Sequence, residues 1–220
     1  KMLTKAQKTS TTQSQLPNSL SFLQVIMRFL GAVISRVLKL FRGGGHSKMK
    51  PILYESTRTQ FNDNGIGILS DAVSCFVTEE RNGRFELVLN YPVDGIHYKE
   101  IKQRSIIAAK AHADGNIQPF RVYRITKPLN GMVSIYAEHI SYDLSGIAVS
   151  PFTAGSAAAA LQGIKSNSVV ENPFEFWTDK NTVANMSQTL PLSARALLGG
   201  VSGSVLDVYD GEYEFDNYTV

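Results

Sequence analysis

The side chains of this sequence that most readily support catalysis or metal binding are its four histidines, and their spacing is unfavourable. They are His46, His97, His112 and His139. The chain contains no His-Glu-x-x-His, His-x-His or His-x-x-Glu-His pattern, so no zinc peptidase motif is encoded locally. Glu138 and His139 are adjacent, but neighbouring side chains of a strand point to opposite faces. We interpret them as an ordinary strand pair, one side chain packed and the other solvated.

The nucleophilic residues give no stronger signal. Cys75 is the single cysteine, which excludes an internal disulfide and any multi-cysteine metal site. Its apolar neighbours and the lack of a nearby basic partner favour a small core residue over a nucleophile. Residues 199–204 (GGVSGS) match a nucleophile elbow only in part, because Gly-x-Ser-x-Gly requires glycine where Ser204 stands. Residues 43–45 (GGG) lack the Lys-Ser/Thr of a phosphate-binding loop.

Two acidic groups remain as candidates. Glu79 and Glu80 lie at an expected hairpin turn, where a solvated cluster is the simplest interpretation. The second group consists of Asp207, Asp210, Glu212, Glu214 and Asp216. It could hold calcium, but it lacks EF-hand spacing, and acidic residues on an edge strand also discourage misassembly. The sequence therefore predicts no catalytic residue, no metal ligand, no cofactor and no enzymatic activity in this chain.

The composition and the charge distribution define the elements around these residues. With 220 residues and 43% hydrophobic content, the chain can bury the core of one large domain or two small ones. Residues 1–50 contain nine basic residues and no acidic one, which leaves 13 basic and all 19 acidic residues to the other 170. The net charge of +3 therefore comes from the leader, and we expect no nucleic-acid binding by the globular part.

The basic leader, residues 1–48, begins with a polar arm over residues 1–18. Residues 19–42 are apolar at helical spacing, which predicts an amphipathic helix that ends at the glycines. Arg28 and Arg36 lie well inside it, where a charge costs roughly 2.5 kcal/mol at the membrane centre. The helix therefore contacts an anionic membrane surface, packs on a partner protein, or is an upstream piece that does not belong to the folded domain, and a signal peptide is disfavoured. Met49 is a candidate start of the natural domain.

Residues 49–145 have the pattern of antiparallel hairpins. Runs of alternating apolar residues flank residues 81–83 (RNG), residues 112–116 (HADGN) and residues 130–131 (NG). Asn-Gly between alternating runs is a strong hairpin signal, because both residues tolerate positive φ. We expect a meander that curls into a small barrel or packs on a helix, with Val73, Cys75 and Val77 on its inner face.

Residues 146–220 have a mixed pattern. The alanine-rich stretch 155–165 predicts a helix capped by Ser156, and residues 193–207 predict a second helix that contains several glycines. Residues 173–178 and 212–220 alternate as strands do. The fold class predicted for the whole chain is therefore β-rich α+β, with this segment as a separate α+β domain.

Two stretches resemble the N-terminal region of phage minor structural proteins, the tail-associated hub proteins of siphophages and prophages that include the prophage endopeptidase tail family. They are residues 71–95 (DAVSCFVTEERNGRFELVLNYPVDG) and 118–146 (QPFRVYRITKPLNGMVSIYAEHISYDLSG). The resemblance extends from about Ile52 to Val220 and does not include the leader. It implies a barrel-like hub domain over residues 49–145, followed by a domain that continues further in longer members, so we expect residues 146–220 to be incomplete.

The resemblance also implies a function. Hub proteins form homotrimers whose barrels make a pseudo-sixfold ring between the tail tube and the central tip, and the ring contacts distal tail proteins, tail-tube proteins and the tape measure. We therefore expect a structural component of a virion tail, assembled in the bacterial host cytoplasm. Two alternatives stay open. One is a tail-associated peptidoglycan hydrolase whose catalytic part lies outside this chain, and the other is a membrane-surface binder that uses residues 1–48.

Overall fold

The computed structural model describes residues 50–112 and 114–220. The predicted leader helix, the candidate start at Met49, the glycine triplet and His46 lie outside these residues. Within the described residues, no helix is both long enough and apolar enough to span a bilayer.

Seven strands form one antiparallel sheet. Their bounds are β1 Ile52–Tyr54, β2 Gly67–Ile68, β3 Ser74–Glu79, β4 Phe85–Pro92, β5 Ile106–Lys110, β6 Ile117–Ile125 and β7 Met132–His139. They lie side by side in the order β2-β1-β5-β6-β7-β4-β3, and the sheet is curled into a half-barrel. The predicted β-rich α+β class is confirmed.

The three predicted hairpins form at the predicted turns. Asn82 has φ 51° in the turn between β3 and β4, and Asn130 and Gly131 have φ 49° and 76° in the turn before β7. Alternation along β4 places Leu87 and Leu89 fully inside, against buried residues of β5, β6 and β7. Turn chemistry and the period of two therefore determine the local pairing of these strands.

The expected simple meander is wrong in one respect. After β4 the chain passes through a 3₁₀ helix, Tyr98–Glu100, to β5, which lies three strands away, while β4 itself pairs with β7. Local turns therefore determine each hairpin but not the order in which the hairpins assemble.

The expected position of Val73 on the inner face is also wrong. Val73 precedes the first paired residue of the edge strand β3 and is 70% exposed, while Cys75 and Val77 pack against the core.

The second half contains short strands and helices around its own apolar cluster. Ser156 caps the first helix by accepting a hydrogen bond from the Ala159 N–H at 3.2 Å, as predicted. The bounds are β8 Ala148–Val149, β9 Phe152–Ser156, α1 Ala157–Ser166, β10 Val183–Gln188, β11 Leu192–Ser193, α2 Ala194–Leu198 and α3 Val205–Tyr209. β9 pairs with β10 and β8 with β11, and a 3₁₀ helix over Ile140–Gly146 connects this half to the sheet.

Two predictions for this half are wrong. Residues 193–207 form the two short helices α2 and α3 instead of one, because Gly200 and Gly203 between them adopt φ 96° and 79°. Residues 173–178 and 212–220 form only isolated bridges, including Glu175 with Thr219. The two segments pair with each other over only three residues, through three backbone hydrogen bonds between residues 175–177 and 218–220, which is too short for regular strands. The domain boundary predicted between residues 145 and 146 stays a prediction. Phe215 packs against the apolar core clusters of both halves.

Candidate functional site

The most connected polar region lies at one end of the half-barrel, where residues 210–218, the C-terminal segment, cross it. The Asp216 carboxylate accepts hydrogen bonds from Asn116 Nδ2 and Gln118 Nε2, both at 2.9 Å. At the other end of the segment, Asn82 Nδ2 donates to the Gly211 carbonyl at 3.0 Å, and Asn82 Oδ1 accepts from the Tyr213 N–H at 2.8 Å. The segment therefore connects the β3–β4 turn to the start of β6.

His139 lies buried beneath this segment. Its Nδ1 accepts the Ser141 N–H at 3.2 Å, so Nε2 carries the proton and donates to Gln118 Oε1 at 3.1 Å. Its ring stacks on Phe85, with ring centroids 4.4 Å apart. Burial, with a smaller contribution from Arg195, lowers the pKa of His139 to about 3. The imidazole is therefore neutral at physiological pH and fully committed to contacts within the chain.

Glu138 does not form an acid–base pair with His139. It lies half-buried on the opposite face of β7, across from Glu86 of β4. Burial raises the pKa of Glu138, and the nearby carboxylates of Asp143 and Glu86 raise it further. The two neighbours therefore occupy separate environments.

Arg121 and Asp143 form an ion pair next to this network. Arg121 Nε lies 3.0 Å from both carboxylate oxygens of Asp143, and its Nη2 lies 2.7 Å from Oδ2. Its Nη1 donates to the carbonyls of Ser56 and Arg104 at 2.9 and 3.3 Å. Arg121 is only 8% exposed, so a nearly buried cation is fully satisfied by one carboxylate and two carbonyls. This arrangement connects β6 to the 3₁₀ helix after β7.

The other residues considered for chemistry are dispersed. The His97 ring lies directly over Gly67, and the exposed His112 Nε2 is 3.1 Å from Glu79 Oε2. Burial raises the pKa of the Cys75 thiol to about 12, so the reactive thiolate is not populated at neutral pH. The structure does not bring these residues together.

Four of the five acidic residues near the C-terminus have separate partners within the chain. Asp207 accepts the Gly203 N–H at 2.7 Å, and Glu212 forms an ion pair with the exposed Arg81. Asp216 belongs to the network described above. In the part of the chain that the structure describes, no three His, Cys, Asp or Glu side chains are grouped so that they could hold one metal ion.

The partial elbow motif lines a small cleft. Ser204 caps α3 through a bond from the Asp207 N–H at 3.4 Å, and Ser202 Oγ lies 3.4 Å from Asp207 Oδ2, so neither hydroxyl is bonded to a histidine. The neighbouring cleft has a volume of about 110 Å³, far below the roughly 300–1,000 Å³ of typical ligand pockets. It is lined by Asn82, Arg195, Leu198, Gly199, Gly200, Leu206, Tyr213 and Phe215.

The outer face of the sheet carries an apolar row. Phe76 of β3, Val88 of β4 and Tyr136 of β7 lie side by side in register, and Tyr123 of β6 lies 6.4 Å from the Tyr136 ring. Phe76 and Tyr123 are 57% and 41% exposed, so both ends of the row are open to solvent, while the Arg124 guanidinium lies 3.9 Å from the centroid of the half-buried Tyr136 ring. Among the described strands, β3 at the end of this row has a neighbour on one side only. We call Phe76, Val88, Tyr136 and Tyr123 the outer row.

Comparison with known proteins identifies the fold. The structure is similar to the crystal structure of prophage tail protein gp18 from Listeria monocytogenes EGD-e, with a TM-score of 0.51 and 15% sequence identity. The two chains share a fold. The similarity covers 77% of this chain and 49% of the Listeria chain, so this chain spans about half the length of that protein. No protein-family model and no curated protein sequence matches this chain.

The sequence analysis named His139 and Asp216 as candidates for other chemistry, but it did not name Gln118 or predict that these residues meet. Gln118 and Asp216 are 98 positions apart, and no local pattern connects them. The signal that was present is indirect, since Gln118, Arg121, His139 and Asp143 all belong to the stretches that carry the family resemblance. The residues that carry the resemblance therefore make contacts that stabilise the fold.

Proposed function

We propose that this chain is a structural component of a phage or prophage tail, at the tip or baseplate hub, where it adapts the tail tube to the central tip and supports attachment to or penetration of the cell envelope. The observation that carries the proposal is the fold shared with a prophage tail protein. The sequence resemblance to tail hub proteins, noted independently, supports the same role. In this proposal the protein resides in the virion tail and is assembled in the host cytoplasm.

The proposal includes no enzymatic activity for this chain. His139 is neutral and bonded on both nitrogens, and the Cys75 thiol stays protonated. The one cleft described above is too small for a peptidoglycan strand, since typical pockets for organic ligands are several times larger. These observations favour a chain that acts through its surfaces.

We further propose that the chain assembles as a homotrimer and contacts distal tail proteins, tail-tube proteins and the tape measure. The outer row and the free edge of β3 are the surfaces that support this proposal, because exposed aromatic side chains and unpaired strand edges are typical of assembly interfaces. A ring requires head-to-tail contacts that close by rotation, and an edge strand next to an apolar face suits such a contact.

The deciding experiment measures the mass of the full chain in solution and its presence in particles. A trimer gives a light-scattering mass three times the 24.2 kDa of the chain. Antibody labelling of purified particles should then mark the end of the tail. A monomer at all concentrations, together with unlabelled particles, would contradict the hub role. Clearing of purified cell wall in a zymogram would contradict the absence of activity.

A further inference from the structure

The cleft between α2, α3 and the C-terminal segment contains a cation with no counter-charge. The Arg195 guanidinium donates one hydrogen bond, from Nη1 to Ser141 Oγ at 2.8 Å. It also lies over two aromatic rings, 4.4 Å from the Tyr142 centroid and 5.1 Å from that of Phe215. Within the described residues, no carboxylate is within ion-pair distance of it.

Arg121 differs from Arg195 in the partners of its guanidinium. Its donors reach one carboxylate and two carbonyls, and like Arg195 it is bonded to the 3₁₀ helix Ile140–Gly146. Arg195, by contrast, is half-buried, and burial lowers its pKa. Taking a charge from water without a partner is unfavourable, so an anion that enters the cleft regains that free energy.

None of the carboxylates of the chain pairs with Arg195. Residues 1–49 contain no Asp or Glu, and position 113 is alanine, so every acidic side chain lies within the described residues. The nearby carboxylate of Glu138 influences Arg195 only at a distance beyond ion-pair contact. A carboxylate of another molecule can therefore supply the counter-charge that the described residues do not place beside Arg195.

Among the side chains that line the cleft, Arg195 is the one that carries a charge. Both side-chain ends of Asn82 are used, on Gly211 and Tyr213, and the Tyr213 hydroxyl donates to the Leu198 carbonyl. The other walls are the ring of Phe215 and the side chains of Leu198 and Leu206. An apolar cleft with a guanidinium at its base suits a small anion attached to carbon, because a carboxylate matches the planar fork of arginine.

We propose that this cleft binds a single carboxylate group and that Arg195 is its anchor. Its volume of about 110 Å³ is that of about four water molecules, which accommodates an acetate-sized group. The carboxylate belongs either to a free small acid or to an Asp or Glu side chain of another protein. The inference does not depend on the proposed tail function.

The test is a titration of the ¹⁵N-labelled full chain, followed by NMR, with sodium acetate in one arm and N-acetyl-aspartic acid amide in the other. Sodium chloride at equal ionic strength and pH is the reference. We expect saturable shifts of the Gly199 and Gly200 amides and of the Arg195 Nε–H in at least one carboxylate arm. Tighter binding of the aspartic derivative indicates a protein side chain as the source, and tighter or equal binding of acetate indicates a free acid.

Variants separate a specific site from general charge. Arg195→Lys should weaken carboxylate binding by about tenfold, because it loses the bidentate fork, and Arg195→Met should abolish it. Arg81→Met removes the same charge from the residue next to Asn82 and should leave binding unchanged. The proposal is overturned if the wild-type shifts do not saturate in either arm or equal those with chloride. The proposal is also overturned if the Arg195→Met variant keeps the saturable carboxylate shifts. It is overturned as well if the wild type shows saturable shifts with inorganic phosphate and none with either carboxylate.

Discussion

His139 is held in a form that cannot gain a proton without disrupting its surroundings. Its Nδ1 accepts a backbone N–H, and the ring lies among Phe85, Phe120 and Phe215. A protonated Nδ1 could no longer accept, and the charge would lie among aromatic rings. The lowered pKa of His139, about 3, expresses that cost.

This gives a prediction for stability against pH. Because the pKa of His139 is lower in the folded than in the unfolded chain, the unfolded state binds more protons between about pH 6.5 and pH 3, and stability falls as pH falls through that range. The contribution from His139 is about 2 kcal/mol lost by pH 5. The difference in unfolding free energy between wild type and His139→Asn, measured in urea at pH 7 and pH 5, should shrink by that amount. A difference independent of pH would contradict it.

Arg121 provides a second prediction for single residues. Arg121→Met leaves the Asp143 carboxylate and two carbonyls without their donor, so we expect a loss of about 3 kcal/mol or more in unfolding free energy. Arg81→Met is the matched control. It removes an ion pair whose arginine side chain is 73% exposed, and it should cost less than about 1 kcal/mol. Equal costs in urea unfolding would show that the Arg121 pair contributes no more than a surface contact.

For the elements, the sequence predicted what is local and missed what is distant. Asn-Gly turns and alternation located β3, β4 and the turn before β7, because those signals reside in adjacent residues. The three-residue β1 and two-residue β2 are too short for any periodicity to stand out. The pairing of β4 with β7 depends on which apolar faces meet, and the spacing of residues along the chain does not encode it. The Gln118–Asp216 contact was unpredictable for the same reason.

A comparison of two glycines tests how tightly the β1–β2 connection is built. Gly65 and Gly131 both have positive φ, at 52° and 76°. A Cβ at Gly65 would lie 2.4 Å from the Leu53 carbonyl of β1, and one at Gly131 would meet no atom within 4 Å. Gly131→Ala should cost about 1 kcal/mol for backbone strain alone, and Gly65→Ala about 3 kcal/mol, because overpacking is added. Equal losses in urea unfolding would show that β1 shifts freely.

For the whole molecule, the C-terminal segment and the free edge of β3 lie at different places on the half-barrel. The segment is bound at both of its ends by side chains of the sheet, through Asn82 at one end and Gln118 at the other. The outer row is on the face opposite the core and has no covering element among the described residues. The described residues therefore close one end of the sheet and leave its outer face uncovered.

The last prediction concerns that face. If the outer row forms the interface between protomers, Phe76→Glu places a charge at the most exposed side chain of the row, beside the free edge of β3, and should convert the proposed trimer to a monomer by light scattering. Trp177→Glu is the matched control, because Trp177 is also aromatic and is 66% exposed, but it lies in the second half, away from the outer row. Both variants should keep the wild-type urea midpoint, since neither side chain is buried. A trimer that survives Phe76→Glu and dissociates with Trp177→Glu would move the interface to the second half of the chain.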